Sequence, residues 1–119
     1  MDDVVVIGGG IIGAAVAYFL SKEGRRVKVI ERDPTYKQAS FPLSLGGFRR
    51  QFYQKENILL GKFAREFISQ IPELLKTEKN PNPTASMVPN GYLLMFGPEH
   101  AEEQYRALEN HKACDAGTK

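Results

Sequence analysis

The chain has 119 residues, 42% of them hydrophobic and 25% charged, a balance that excludes a disordered or fibrous polypeptide and allows one modest core. Its formal net charge is +2, with Lys and Arg interspersed among Asp and Glu, so no basic face for nucleic acid is expected. The single cysteine, Cys114, excludes an intrachain disulfide and a cysteine-rich zinc site, and fits a reducing compartment. No metal site is predicted.

The apolar opening from Val4 to Leu20 is preceded by Asp2 and Asp3 rather than by basic residues, and glycines interrupt it. It therefore reads as neither a signal peptide nor a membrane span, and the protein is not expected to be secreted. Val4 to Ile7 is a β-branched run of the kind found in a central parallel strand buried on both faces. The cluster Gly8, Gly9, Gly10 turns the chain into a helix predicted over Ile11 to Glu23, which Gly24 ends. Val27 to Glu31 forms a second strand, and the intervening helix makes the connection a right-handed βαβ crossover.

From residue 32 to 53 periodicity gives way to Pro34, Pro42, Gly46, Gly47 and several serines, the pattern of a long functional loop or, more plainly, of a surface Ω-loop. Glu56 to Lys76 recovers helical spacing, with Leu60, Phe63, Phe67, Ile71 and Leu74 on one face. A polar connection then leads to a turn at Asn90 and Gly91, a strand over Tyr92 to Phe96, and a helix from Glu99 to about Ala113. His100 and His111 are expected at the surface of that last helix.

The chemistry is carried by Gly8-Gly9-Gly10-Ile11-Ile12-Gly13, a GxGxxG between a strand and a helix. In that context three glycines have distinct physical roles. Gly8 makes the tight turn, Gly10 lets the backbone approach a pyrophosphate, and Gly13 lets helix and strand pack closely. The free amides of Ile11 and Ile12 at the positive end of the helix would receive the phosphates. Glu31, closing the second strand, is placed to accept both ribose hydroxyls of an adenosine, and its charge disfavours a 2′-phosphate. These residues alone leave FAD, NAD and a glycine-rich turn that binds nothing open.

The next segment carries a resemblance. Read on from Glu31-Arg32-Asp33-Pro34-Thr35-Tyr36-Lys37-Gln38-Ala39-Ser40 through Leu43-Ser44-Leu45-Gly46-Gly47 to Gln51-Phe52, the chain resembles the FAD-dependent oxidoreductases of the D-amino-acid-oxidase, glycine-oxidase and sarcosine-oxidase (DAO) family. Glu56-Asn57-Ile58 and Gly91-Tyr92-Leu93-Leu94 match a branch that joins a mitochondrial flavoprotein tied to respiratory complex I assembly with bacterial relatives. The resemblance runs from Val4 to about His111.

It implies an α/β fold, a Rossmann-type FAD-binding βαβ unit followed by the start of a substrate domain, with residues 1–76 in the former and 77–119 forming a linker and the beginning of the latter. It implies that Glu31 and Arg32 flank the adenosine ribose, and that Ala39, Ser40, Gly46, Gly47 and Phe48 line the pyrophosphate and approach the flavin. Some relatives attach flavin through a histidine three residues after the loop serine; Leu43 stands there, so noncovalent FAD is expected. Arg49 and Arg50 form a basic pair suited to a substrate carboxylate, a phosphate or plain solvent.

The activity implied is oxidation of an amino acid or N-methylated amine, with oxygen or a quinone-linked carrier as electron acceptor. Cytoplasmic residence is implied if the source is bacterial, and mitochondrial if eukaryotic. A Rossmann half uses about three parallel strands and two are visible, so the chain reads as an N-terminal fragment, inactive alone, with its catalytic residues further along. Two alternatives stand beside this reading: a flavin-bearing assembly factor that binds respiratory-complex subunits, and an NAD-dependent dehydrogenase.

Overall fold

The computed structural model describes residues 3–119. They fall into two compact units, one ending at Gly47 and the other beginning at Phe48.

The first unit is a βαβ element. Strand β1 (Val4–Ile7) and strand β2 (Val27–Ile30) pair in parallel, Val4 opposite Val27 and Ile7 opposite Ile30. Helix α1 (Ile11–Lys22) connects them. The side chains of β1 alternate between half-buried and exposed, the period-2 signature of a strand covered on one face. The covering element is α1: Val6 Cγ1 lies 3.3 Å from where a Cβ on Gly13 would stand. Burial on both faces, expected for β1, is not what the chain forms. Val5 and Ile7 face outward, Ile7 at 88% exposure, because the one helix described in this unit covers the opposite face.

Glycine punctuates this unit as the sequence implies. Gly8 takes φ +95° at the end of β1 and Gly24 takes φ +78° just beyond α1, both in the left-handed region that glycine alone enters without cost. Asp3 and Arg26 tie the two strand entrances together by an ion pair at 3.1 Å.

The second unit is helical. Helix α2 (Lys55–Ser69) and helix α3 (Ile71–Leu74) replace the single helix predicted over Glu56 to Lys76. The break falls at Gln70, where Pro72 at the start of α3 lacks the amide that a continuous helix would use. A 3₁₀ turn (Pro98–His100) opens helix α4 (Ala101–Ala113). The segment Tyr92 to Phe96, expected as a strand, pairs with no other strand among the described residues, and all five side chains are exposed. Without a partner for its amides and carbonyls, an apolar run cannot become a sheet strand.

Helices α2 and α4 close on each other around Ile58, which is fully buried with Ala107 and Ala116. In sequence they lie on either side of Lys76. His111, expected at the surface, is 8% exposed. Its Nε2 lies 3.0 Å from the Phe52 carbonyl and its Nδ1 lies 3.3 Å from the Thr118 hydroxyl. A carbonyl only accepts, so Nε2 donates to Phe52, while the Thr118 hydroxyl, which can donate or accept, pairs with Nδ1. Lys62 donates to the Cys114 carbonyl at 2.8 Å and pairs with Asp115 at 3.3 Å.

Candidate functional site

A cleft of about 490 Å³ opens at the carboxyl end of the two strands, where parallel sheets place their ligands. Its lining comes from the end of β1 (Ile7), the glycine turn (Gly8, Gly10), the end of β2 (Ile30, Glu31) and the following loop from Arg32 to Ala39.

Glu31 organises it. Its Oε2 accepts the Gly9 amide at 2.7 Å and its Oε1 accepts the Asp33 amide at 2.8 Å. Each carboxylate oxygen thus keeps a lone pair for a further donor. The same two amides, Asp33 first and Gly9 second, hold the carboxyl below its ordinary value, against a smaller opposing effect of desolvation. The group is an anion at neutral pH, pinned between the glycine turn and the loop.

The glycines differ in what surrounds them. A Cβ on Gly13 would intrude on the carbonyl oxygen of Gly8, far inside the 3.0 Å that real Cβ atoms respect. Gly10, the N-cap of α1 with φ −61°, would carry a Cβ that meets nothing within 4 Å. Packing does not require glycine there. The bare backbone leaves a gap at the mouth of a helix whose first amides and dipole favour an anion. Ile11 and Ile12 stand exposed at the same helix start. An open cradle beside a fixed acceptor fits the diphosphate and ribose of a dinucleotide.

The loop after Glu31 is a sequence of tight turns. Asp33 accepts from the Thr35 amide and hydroxyl at 3.0 and 2.6 Å, the Tyr36 amide donates to the Asp33 carbonyl at 3.1 Å, and the Ala39 amide donates to the Tyr36 carbonyl at 3.0 Å. Of the expected site residues, Gly8, Gly10, Glu31, Arg32 and Ala39 line the cleft together. Gly13 packs beneath it. Ser40, Gly46 and Gly47 follow in the loop but do not line it, with Gly46 at φ +64° and its amide donating to Ser44 at 3.1 Å. Phe48 begins the second unit. There, the Arg49 guanidinium lies over the Phe52 ring at 5.1 Å, and the Arg49 carbonyl comes within 2.9 Å of where a Gly61 Cβ would stand.

Five lining residues are not among the expected site residues: Ile7 and Ile30 at the strand ends, and Asp33, Tyr36 and Gln38 in the loop. The signal for Asp33 is present, since Asp two residues before Thr is a side-chain turn motif. Nothing in the sequence marks Tyr36 for the left-handed conformation it adopts, φ 54°. Among the described residues no three His, Cys, Asp or Glu gather as metal ligands, and no helix is long and apolar enough to cross a membrane.

Comparison with known proteins places this geometry. The chain is 42% identical over 123 residues to FAD-dependent oxidoreductase domain-containing protein 1 of Bos taurus, covering 95% of this chain and 25% of that protein. It is 43% identical over 111 residues to the Xenopus laevis protein of the same name, covering 87% and 22%. A shorter stretch of 34 residues is 62% identical to squalene monooxygenase SE2 of Panax ginseng, covering 29% of this chain and 6% of that one. The chain spans about a quarter of the length of the first two relatives. No solved structure matches it. Residues 3–117 match the family described as FAD dependent oxidoreductase, DAO, which decides for FAD over NAD: the chain belongs to the DAO family of FAD-dependent oxidoreductases.

Proposed function

We propose that this chain forms the FAD-gripping, Rossmann-type portion of an oxidoreductase that oxidises an amino acid or an N-methylated amine. The observation that carries the proposal is the Glu31 carboxylate, clamped by the Gly9 and Asp33 amides and facing the open turn over Gly10. In this reading Gly8, Gly10, Ile11 and Ile12 present backbone to the diphosphate, while Gly13 holds α1 close enough to do so. Glu31 takes the ribose hydroxyls and Arg32 flanks them. Ala39, Ser40, Gly46, Gly47 and Phe48 continue toward the flavin end. Bound flavin supplies a two-electron acceptor for the carbon–hydrogen bond next to the substrate nitrogen, and the protein supplies orientation and electrostatics.

The family match and the relatives' names support oxidoreductase chemistry; the amine substrate class rests on the resemblance to glycine and sarcosine oxidases. The test has two steps. Protein incubated with excess FAD and desalted is expected to keep flavin absorbance and to melt at a higher temperature than before loading. The full-length protein is then screened against amino acids and N-methylated amines with an artificial acceptor. A colourless, unstabilised protein overturns the cofactor assignment, and a flavin-loaded protein that turns over none of these amines overturns the substrate class.

A further inference from the structure

Tyr36 is the least expected residue of the cleft. It sits at φ 54°, a backbone conformation rare for an aromatic residue, and turn hydrogen bonds on both sides hold it there. Strain kept in place by its surroundings at a ligand cleft is a mark of function. The side chain crosses back over the glycine turn, so that its hydroxyl oxygen lies 2.7 Å from where a Gly9 Cβ would stand. It is 39% exposed and lines the cleft. Among the described residues no protein group hydrogen-bonds that hydroxyl.

Its place defines what it can bind. On one side is Glu31, an acceptor matched to ribose hydroxyls, which donate. On the other is the glycine turn, where the Gly8 and Gly9 amides are already bonded to Ile30 and Glu31 and the open backbone at Gly10 leads to the helix start, which favours a phosphate. A phenol donor between them meets its complement in a phosphate oxygen, which only accepts. Resting on the dinucleotide reading of the cleft, we propose that Tyr36 is a positioning residue for the adenylate half of the cofactor, donating its hydroxyl hydrogen bond to the phosphate attached to the adenosine. The loop of residues 32–39 then closes the cleft around that phosphate from the side opposite the helix start.

AMP and adenosine are the probes, titrated calorimetrically into the chain and into its Tyr36→Phe variant, with melting temperatures of both. Tyr36→Phe keeps the ring and removes only the donor. Affinity for AMP is expected to fall about tenfold, the loss of one hydrogen bond to a charged group, while affinity for adenosine and the melting temperature stay as they were. The phosphorus resonance of bound AMP, which a contact to the phosphate moves, is expected to differ between the two proteins, and this readout holds even if the variant melts lower. Equal losses for AMP and adenosine, or an unchanged AMP affinity and resonance, overturn the role of Tyr36. A wild-type chain that binds neither AMP nor FAD overturns the dinucleotide site itself.

Discussion

Gly10 and Gly13 stand three residues apart in one motif, yet the structure gives them opposite reasons for being glycine, and a pair of alanine substitutions separates them. At Gly13 a methyl group would overlap the Gly8 carbonyl oxygen and lie 3.1 Å from the Gly8 carbonyl carbon, both backbone atoms that cannot rotate away. Alanine gains about 1 kcal/mol of helix propensity over glycine. Overpacking against an unyielding neighbour costs about 1–3 kcal/mol, and more when backbone must move. Since α1 has to retreat from β1, the upper end applies, and Gly13→Ala is expected to be destabilised by about 2 kcal/mol. At Gly10 the φ of −61° suits alanine and the methyl meets nothing, so stability should stay within about 0.5 kcal/mol. The methyl instead occupies the space over the helix start, and loss of one charge-assisted hydrogen bond there is about 2 kcal/mol, roughly 30-fold in affinity. Urea melts followed by circular dichroism, with calorimetric AMP titration of each protein, read both effects. A Gly10→Ala protein that melts early but binds normally, or a Gly13→Ala protein as stable as wild type, would refute the reasoning.

Three further substitutions probe neighbouring contacts. Gly9→Ala places a methyl 2.7 Å from the Tyr36 hydroxyl, whereas its next neighbours are at an ordinary 3.5 Å; Tyr36→Phe removes the offending atom, so a double-mutant cycle in urea is expected to show favourable coupling of about 1 kcal/mol, and additivity would sink it. Glu31 has a lowered carboxyl pKa, so its contribution is complete above the ordinary 4.5 and disappears as pH falls through the lower folded value. Affinity for adenosine, which lacks a titrating phosphate, is therefore expected to hold from neutral pH down to that region and to weaken below it, and Glu31→Gln to bind adenosine about tenfold more weakly at pH 7. Ile58→Ala empties the one large side chain that is fully buried among the described residues and is expected to destabilise the helical unit by about 2–5 kcal/mol, measured by urea melts.

The βαβ unit was legible because its determinants are local. Strand, glycine turn, helix and acidic terminus follow one another within 31 residues, and the longest bond that shapes the cleft, Gly9 to Glu31, spans 22 positions. Residue type alone carries much of that information: only glycine tolerates the φ of Gly8 or the contact at Gly13. The helical unit was read less well for the opposite reason. His111 is buried by a carbonyl 59 residues away, and Lys62 finds its partners 52 and 53 residues away. No periodicity announces such pairings, and an isolated histidine on a polar helix looks the same whether it faces water or a carbonyl. The Tyr92 to Phe96 run differs for a related reason: a strand is a property of two segments, and among the described residues none pairs with this one.

That locality bears on how the site works. An adenylate grip whose contacts close within one βαβ unit and the loop behind it needs little from the rest of the molecule. It can be shared by proteins that otherwise differ, and the 34-residue stretch in common with a squalene monooxygenase has about the length of one such unit. Beyond Ala39 the loop does not line the cleft, and the apolar residues from Tyr92 to Phe96 are exposed. In the proposed reading the grip on the cofactor falls to the βαβ unit and the loop behind it, so substitutions in the glycine turn of this chain are expected to weaken FAD binding, which flavin absorbance after desalting measures.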